Sequence, residues 1–189
     1  KAVEMIDDLT KDSKSPFFLA VGFRKPHLPF SAPKQYWDLY KRERMPLAEY
    51  RERAENTGRL SYHNSGEMRS FSAPDWDYKL DENRQLQLDD NLERELIHGY
   101  YACVTFIDFQ IGKILKKLNA KGLMDNTIIV IWGDHGYHLG DHRLWNKHSN
   151  FEQATRSPLI IVDPDSKKNI TNASPTESVD IFPIVQILI

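Results

Sequence analysis

Asp134 and His135 stand side by side directly after an apolar run, Thr127-Ile128-Ile129-Val130-Ile131-Trp132. A carboxylate and an imidazole are donors that suit a divalent cation. His27 lies between Pro26 and Pro29, just beyond a second apolar run, Phe17 to Phe23. Lys147 falls in the stretch Tyr137 to Glu152, which is dense in His, Asp and Lys. A lysine and a histidine near one another suit an anion such as sulfate or phosphate. The residue types therefore describe a cation site and an anion site.

Positioning these groups requires particular elements. A strand buried in a parallel sheet reads as a near-continuous hydrophobic run. In open α/β sheets, ligands bind beyond the carboxyl ends of the strands. Asp134 and His135 occupy that position, and the flanking Gly133 and Gly136 permit a sharp exit turn. The same pattern fits a strand that simply ends in a polar turn. Pro26 and Pro29 each fix a backbone angle and remove a donor, so His27 sits on a stiff loop. Such loops often carry function, although a lone histidine is commonly a surface or core residue.

The remaining chain supplies the frame. Val3, Ile6 and Leu9 predict a helix over residues 1 to about 10, followed by a polar turn from Lys11 to Ser15. A short helix is expected over 33 to about 41. From about 42 to 90 the pattern dissolves into a long polar excursion, which either walls a substrate pocket or is a mobile insertion. Leu92, Leu96, Tyr100, Val104, Ile107, Ile111, Leu115 and Leu118 predict a helix over 91–120, with Lys116, Lys117, Lys121 and Gly122 at its end. Cys103 in this helix reads as a packed thiol. Ser157 to Val162 reads as a third buried strand, Asp163 to Asn172 as a polar turn region. A final helix begins near Val179, with Thr176 or Ser178 as its cap. This order predicts an α/β fold with a mixed, mostly parallel sheet flanked by helices.

The chain has 189 residues, a net charge of -2, 40% hydrophobic residues and one cysteine. One domain is expected, no basic field favours nucleic acid, an internal disulfide is excluded, and no run spans a membrane. Asn169 and Asn172 match the glycosylation acceptor pattern, which is common by chance. The start at Lys1 and the apolar run Ile184 to Ile189 suggest an internal piece of a longer protein.

Several motifs together carry a family resemblance. They are Pro16 to Phe23; Lys25-Pro26-His27-Leu28-Pro29-Phe30; Tyr100 to Val104 with Asp108 and Gly112; Asn126 to Val130; Asp134 to His142; Trp145 to Glu152; and Val179 to Pro183. In these the chain resembles the sulfatases of the alkaline phosphatase superfamily, most closely the iduronate-2-sulfatase branch. The resemblance covers most of the chain except about 42–90. It implies that residues 1–189 are part of a single catalytic domain with an alkaline phosphatase-like fold. By the same resemblance Asp134 and His135 would ligate calcium, and Lys147 would pair with sulfate oxygens. His27 would sit at the ester and protonate the leaving alcohol, and Lys25 would be a supporting cation.

The resemblance further implies a sulfated sugar or polysaccharide substrate, such as a uronate-containing glycosaminoglycan. It also implies a secreted, periplasmic or lysosomal setting. The family's C-x-[PA]-x-R signature, whose Cys or Ser becomes formylglycine, is absent, since Cys103 is followed by Val-Thr-Phe-Ile. The paired N-terminal aspartates for calcium are absent too. Both are expected upstream, in the remaining N-terminal part of the protein, so residues 1–189 alone are expected to be inactive. A phosphodiesterase or phosphonate hydrolase of the same superfamily, or a non-catalytic glycan-binding relative, would share Asp134-His135-Gly136.

Overall fold

The computed structural model describes residues 1–12, 15–74, 76–166 and 169–189. Ser13 and Lys14 of the expected Lys11–Ser15 turn, Lys167 and Lys168 of the Asp163–Asn172 region, and Asp75 lie outside the described residues. In chain order the elements are α1 (Ala2–Leu9), α2 (Lys34–Trp37), α3 (Gly66–Ser70), β1 (Lys79–Leu80), β2 (Leu86–Gln87) and α4 (Asp90–Ala120). They continue as β3 (Ile129–Trp132), β4 (His138–Leu139), β5 (Trp145–Asn146), α5 (Glu152–Thr155), β6 (Leu159–Val162) and α6 (Ile181–Leu188). The chain forms two compact units. The first holds Lys1–Phe18, Gly112–Asp134 and Ser157–Ile189; the second holds Leu19–Ile111 and His135–Arg156.

In the first unit, β3 and β6 pair antiparallel, with Ile129 opposite Val162 and Trp132 opposite Leu159. Gly133 N–H extends the ladder to the Pro158 carbonyl at 3.0 Å. β4–β5 and β1–β2 are antiparallel as well, so every ladder among the described residues is antiparallel, where mostly parallel pairing was expected. β3 and β6 pair antiparallel although the segment between them, with β4, β5 and α5, is long enough for the crossover that a parallel pair needs.

The apolar run Phe17–Phe23 joins no ladder among the described residues, and Phe18 is 89% exposed. β3 and β6 likewise leave side chains exposed on both faces of their ladder, Trp132 at 52% on one and Ile160 at 54% on the other. Ile6 of α1 is fully buried, and Asp7 beside it bridges Lys117 at 2.6 Å and Lys121 at 2.9 Å. These lysines thus find a carboxylate partner as well as the helix end. α6 follows a 3-10 turn, Ser178–Asp180. That turn is capped by a Glu177–Asp180 capping box, not by the Thr176 or Ser178 side chain expected, and Asp180 in turn is the N-cap residue of α6.

In the second unit the core gathers Leu28, Met45, Met68, Leu86, Leu96, Ile97 and Trp145. Met45, Met68 and Leu86 come from the polar excursion. That segment therefore builds the core as well as the surface, through α3 and the β1–β2 hairpin. Asp81 Oδ1 closes the hairpin by accepting the N–H of Asn83 at 2.9 Å and of Gln85 at 2.8 Å. Among the stripe expected on α4, Leu96 and Leu118 are buried but Val104 is 45% exposed. Cys103 is fully buried, and burial pushes its thiol up to about 11, as a packed thiol requires. α2 is a single turn whose Tyr36 packs on Phe106 of α4 at 5.2 Å.

The two ends of α4 are closed by different devices. Asp89 Oδ1 caps its start by accepting Leu92 N–H at 2.8 Å. At its end, Leu123 N–H reaches Leu118 O at 3.0 Å and Gly122 N–H reaches Asn119 O at 3.0 Å, a Schellman ending. Gly122 has φ of +67°, whereas Gly112, inside the helix, has open space where a Cβ would point. The same substitution should therefore have opposite signs. Gly112→Ala is expected to stabilise by about 0.5–1 kcal/mol through lower unfolded-state entropy. Gly122→Ala is expected to destabilise by about 1–2 kcal/mol. Denaturant unfolding of both variants checks this; equal signs would contradict it.

Candidate functional site

The loop Arg24–Phe30 is built to hold His27 still. Leu28 is 2% exposed and sits in the core of the second unit. His27 N–H closes a turn on Arg24 O at 3.0 Å. Lys25 Nζ donates to the carbonyls of His27, at 3.2 Å, and of Pro29. Lys25 is thus a brace across the loop that carries His27. Both prolines follow cis peptide bonds. His27 Nδ1 pairs with Leu28 O at 2.8 Å, and Nε2 meets Glu67 Oε1 at 3.0 Å. Two acceptors face the two ring nitrogens, so a proton must lie between Nε2 and the carboxylate.

Lys147 follows β5. Its Nζ ends 3.3 Å from the same Glu67 Oε1. His27 and Lys147, 120 positions apart in the numbering of the chain, therefore converge on one oxygen. The buried side chain of Asn146 makes this possible. Its Oδ1 accepts Met68 N–H of α3 at 3.2 Å, and its Nδ2 donates to Tyr137 Oη at 2.9 Å. Ser65 Oγ, also buried, accepts Trp145 N–H at 3.2 Å. Burial, and after it the Glu67 charge, pushes the Tyr137 phenol upward, so it stays protonated.

Asp134 is exposed at the end of the β3 ladder and belongs to the first unit; His135 opens a segment of the second. His135 Nδ1 pairs with Gly136 O at 2.7 Å. Donating from Nδ1 leaves the acceptor lone pair on Nε2, the arrangement usual in metal-ligating histidines. The carboxylate of Asp134 supplies the oxygen that a hard cation takes. The donor types fit a divalent cation, although among the described residues no group of three or more His, Cys, Asp or Glu gathers as a metal cluster. Gly136 is required by space, not by backbone angle: a Cβ there would lie 2.2 Å from Gln153 O and 2.9 Å from Arg156 O.

Glu67, Asn146 and Ser65 escape a reading of residue types. Glu67 sits among many charged residues in the excursion, and nothing in its spacing marks it. The apolar Met68 beside it, buried in the core, is a local sign that this segment returns to the core.

Comparison with known proteins decides the family. The protein-family model described as Sulfatase matches residues 1–188. The chain belongs to the sulfatase family. A sulfatase of Formosa agariphila is 31% identical over 95% of this chain and 33% of its own length. The iduronate 2-sulfatase of Homo sapiens is 33% identical over 92% of this chain and 31% of its own. Among solved structures, a phosphonate monoester hydrolase from Silicibacter pomeroyi is similar with a TM-score of 0.75. It is 26% identical, covering 99% of this chain and 36% of that one. The sulfatase chain thus spans about a third of the length of the curated relatives it matches. Its fold is alkaline phosphatase-like in the sense of these neighbours, with mixed helices and strands.

The loop after Asp134 carries its own pH sensitivity. His138 is fully buried, its Nε2 paired with Ser149 Oγ at 2.7 Å. Burial, then the nearby His63 and His142, lower it to about 4. The unfolded chain protonates this ring near 6.5. The stability it lends is complete above about pH 6.5 and is lost as pH falls toward 4, on the order of 3 kcal/mol in all. Unfolding measured across that range should show the loss, and the ring resonance should titrate near 4 in the folded state. A folded-state midpoint near 6.5 would contradict the assignment.

Proposed function

We propose that the protein to which these residues belong hydrolyses sulfate esters, on a sulfated, uronate-containing glycan. The observation that carries the proposal is the convergence of His27 Nε2 and Lys147 Nζ on one carboxylate oxygen, at 3.0 and 3.3 Å. Groups that meet on one oxygen can meet on an oxygen of a sulfate ester. The human relative named iduronate 2-sulfatase supports the uronate-containing substrate class. In this reading residues 1–189 are part of a single catalytic domain, and Phe17–Phe23, β3 and β6 are strands of a larger, mostly parallel sheet. The family setting, secreted, periplasmic or lysosomal, accords with a glycan substrate. No described helix is long and apolar enough to cross a membrane.

The residues divide the work by chemistry. A sulfate monoester is an anion, and a nucleophile approaching its sulfur is repelled. Lys147 places a fixed charge where oxygens crowd during the reaction. The bond from sulfur to the sugar oxygen breaks, and that oxygen takes a proton from His27 Nε2. Lys25 holds the loop that aims the ring and adds positive charge beside it. Asp134 and His135 would hold calcium, which when bound acts as a Lewis acid on the sulfate. Formylglycine, expected upstream of Lys1, would supply the nucleophile. The similarity to a phosphonate monoester hydrolase supports a second reading, hydrolysis of phosphonate or phosphate diesters at the same seat.

Two variants separate the roles. A positioned general acid contributes ~10²–10⁴-fold, and only where the leaving group needs a proton. In the intact protein, His27→Ala should cripple hydrolysis of a sugar sulfate and harm nitrophenyl sulfate far less, because that phenolate leaves unaided. Lys147→Ala should slow both by similar factors. Measured kcat/KM for both variants on both substrates decides it. Equal losses for His27→Ala would mean that the ring holds sulfate and does not donate. Wild-type turnover of a phosphonate monoester in place of either sulfate would favour the second reading.

A further inference from the structure

One ring nitrogen of His27 has two tasks. Nδ1 is committed to Leu28 O at 2.8 Å, so Nε2 is the nitrogen that can hand a proton to a leaving alcohol. That nitrogen already faces Glu67 Oε1 at 3.0 Å. Lys147 Nζ points to the same oxygen at 3.3 Å. A carboxylate oxygen occupies the place between the two groups that a sulfate oxygen would need. A residue that merely oriented the imidazole would hold the nitrogen away from the substrate, as the Leu28 carbonyl does here.

We propose that Glu67 is a resident anion, which fills the seat between His27 and Lys147 until the sulfate group of the substrate displaces it. This rests on the sulfatase reading of the site. Three observations support displacement. The first is charge: the carboxylate faces the Lys147 ammonium and the His27 ring in their part-buried place, as an oxygen of an arriving sulfate would.

The second is incomplete satisfaction. Glu67 Oε2 is buried and has no hydrogen-bond partner among the described residues. A carboxylate held through one oxygen, with the other desolvated and unpaired, is poorly retained. A sulfate ester brings several oxygens and can engage His27 and Lys147 with different ones.

The third is mechanical. α3 itself is anchored by Met68, fully buried, whose N–H bonds Asn146 Oδ1 at 3.2 Å, and by Arg69 Nε on Asn64 O at 3.1 Å. The Glu67 side chain is 21% exposed, so rotation about its own bonds carries the carboxylate to water without moving the helix. Displacement makes Glu67 a selectivity element. An incoming anion must outbind a tethered carboxylate, which disfavours weakly binding monocarboxylates.

The test uses Glu67→Gln in the intact protein, which keeps the shape and removes the charge. If the seat is open roughly a tenth of the time, KM for an aryl sulfate should fall about tenfold. The Kd of inorganic sulfate, measured by titration calorimetry, should fall by the same factor. A lower kcat with unaltered KM, restored by Glu67→Asp, would make Glu67 a positioning residue and overturn the proposal. Sulfate binding needs no turnover, so the two readings fail separately. Tighter sulfate binding by the variant, with no hydrolysis of any sulfate ester by wild type, would uphold displacement and end the sulfatase reading. Hydrolysis of sulfate esters with KM and sulfate Kd both untouched by Glu67→Gln would end displacement alone.

Discussion

The amide of Asn146 is buried and spends both ends on neighbouring segments, accepting from Met68 N–H and donating to Tyr137 Oη. Each partner would otherwise be left without that bond in a part-buried or buried place, which is costly. The consequence is positional. Lys147 follows Asn146 directly, and Glu67 precedes Met68 directly. One amide therefore sets how far the Lys147 ammonium stands from the Glu67 carboxylate. Asn146 itself has φ of +79°, a conformation that asparagine tolerates better than most residues with a Cβ. Ser65 adds a second buried tie between the same segments through the Trp145 N–H.

Around that tie the second unit balances charge within a short range. Lys25 spends its donors on the carbonyls of its own loop, which stiffens the peptide carrying His27. His27 and Lys147 share Glu67. Histidines further along, His63 and His138, are held toward the neutral form, with burial as the leading cause for each. The fixed positive charge that faces Glu67 is that of Lys147, with the His27 ring beside it. The near-neutral overall charge of -2 gives no hint of this. Local electrostatics at one carboxylate, and not a global field, set what the site can hold.

Much of this is legible in the residues. The long helix is, because apolar positions recur over many turns and Gly122 marks its end; the observed Asp90–Ala120 differs from 91–120 by one residue. The apolar character of β3 and β6 is legible, since β-branched runs bounded by polar turns read as strands. Their antiparallel pairing is not, because an apolar run shows its burial and not its partner. The same limit explains Phe17–Phe23, which has the composition of a strand and no ladder among the described residues. His27, Lys147, Asp134 and His135 stand out by type and by motif. Glu67 does not, because its importance lies in contacts with residues 40 and 80 positions away. The few apolar residues of the excursion lack a period, yet Met68 and Leu86 enter the core.

In the proposed reading, His27 and Lys147 together seat one sulfate ester. A crystal structure of the intact protein, grown with calcium and a slowly hydrolysed sugar sulfate, tests it most directly. The expected result is the ester oxygen within hydrogen-bond distance of His27 Nε2, a terminal sulfate oxygen on Lys147 Nζ, and the Glu67 carboxylate swung out to solvent. A sulfate group bound elsewhere, with Glu67 still bridging His27 and Lys147, would contradict it.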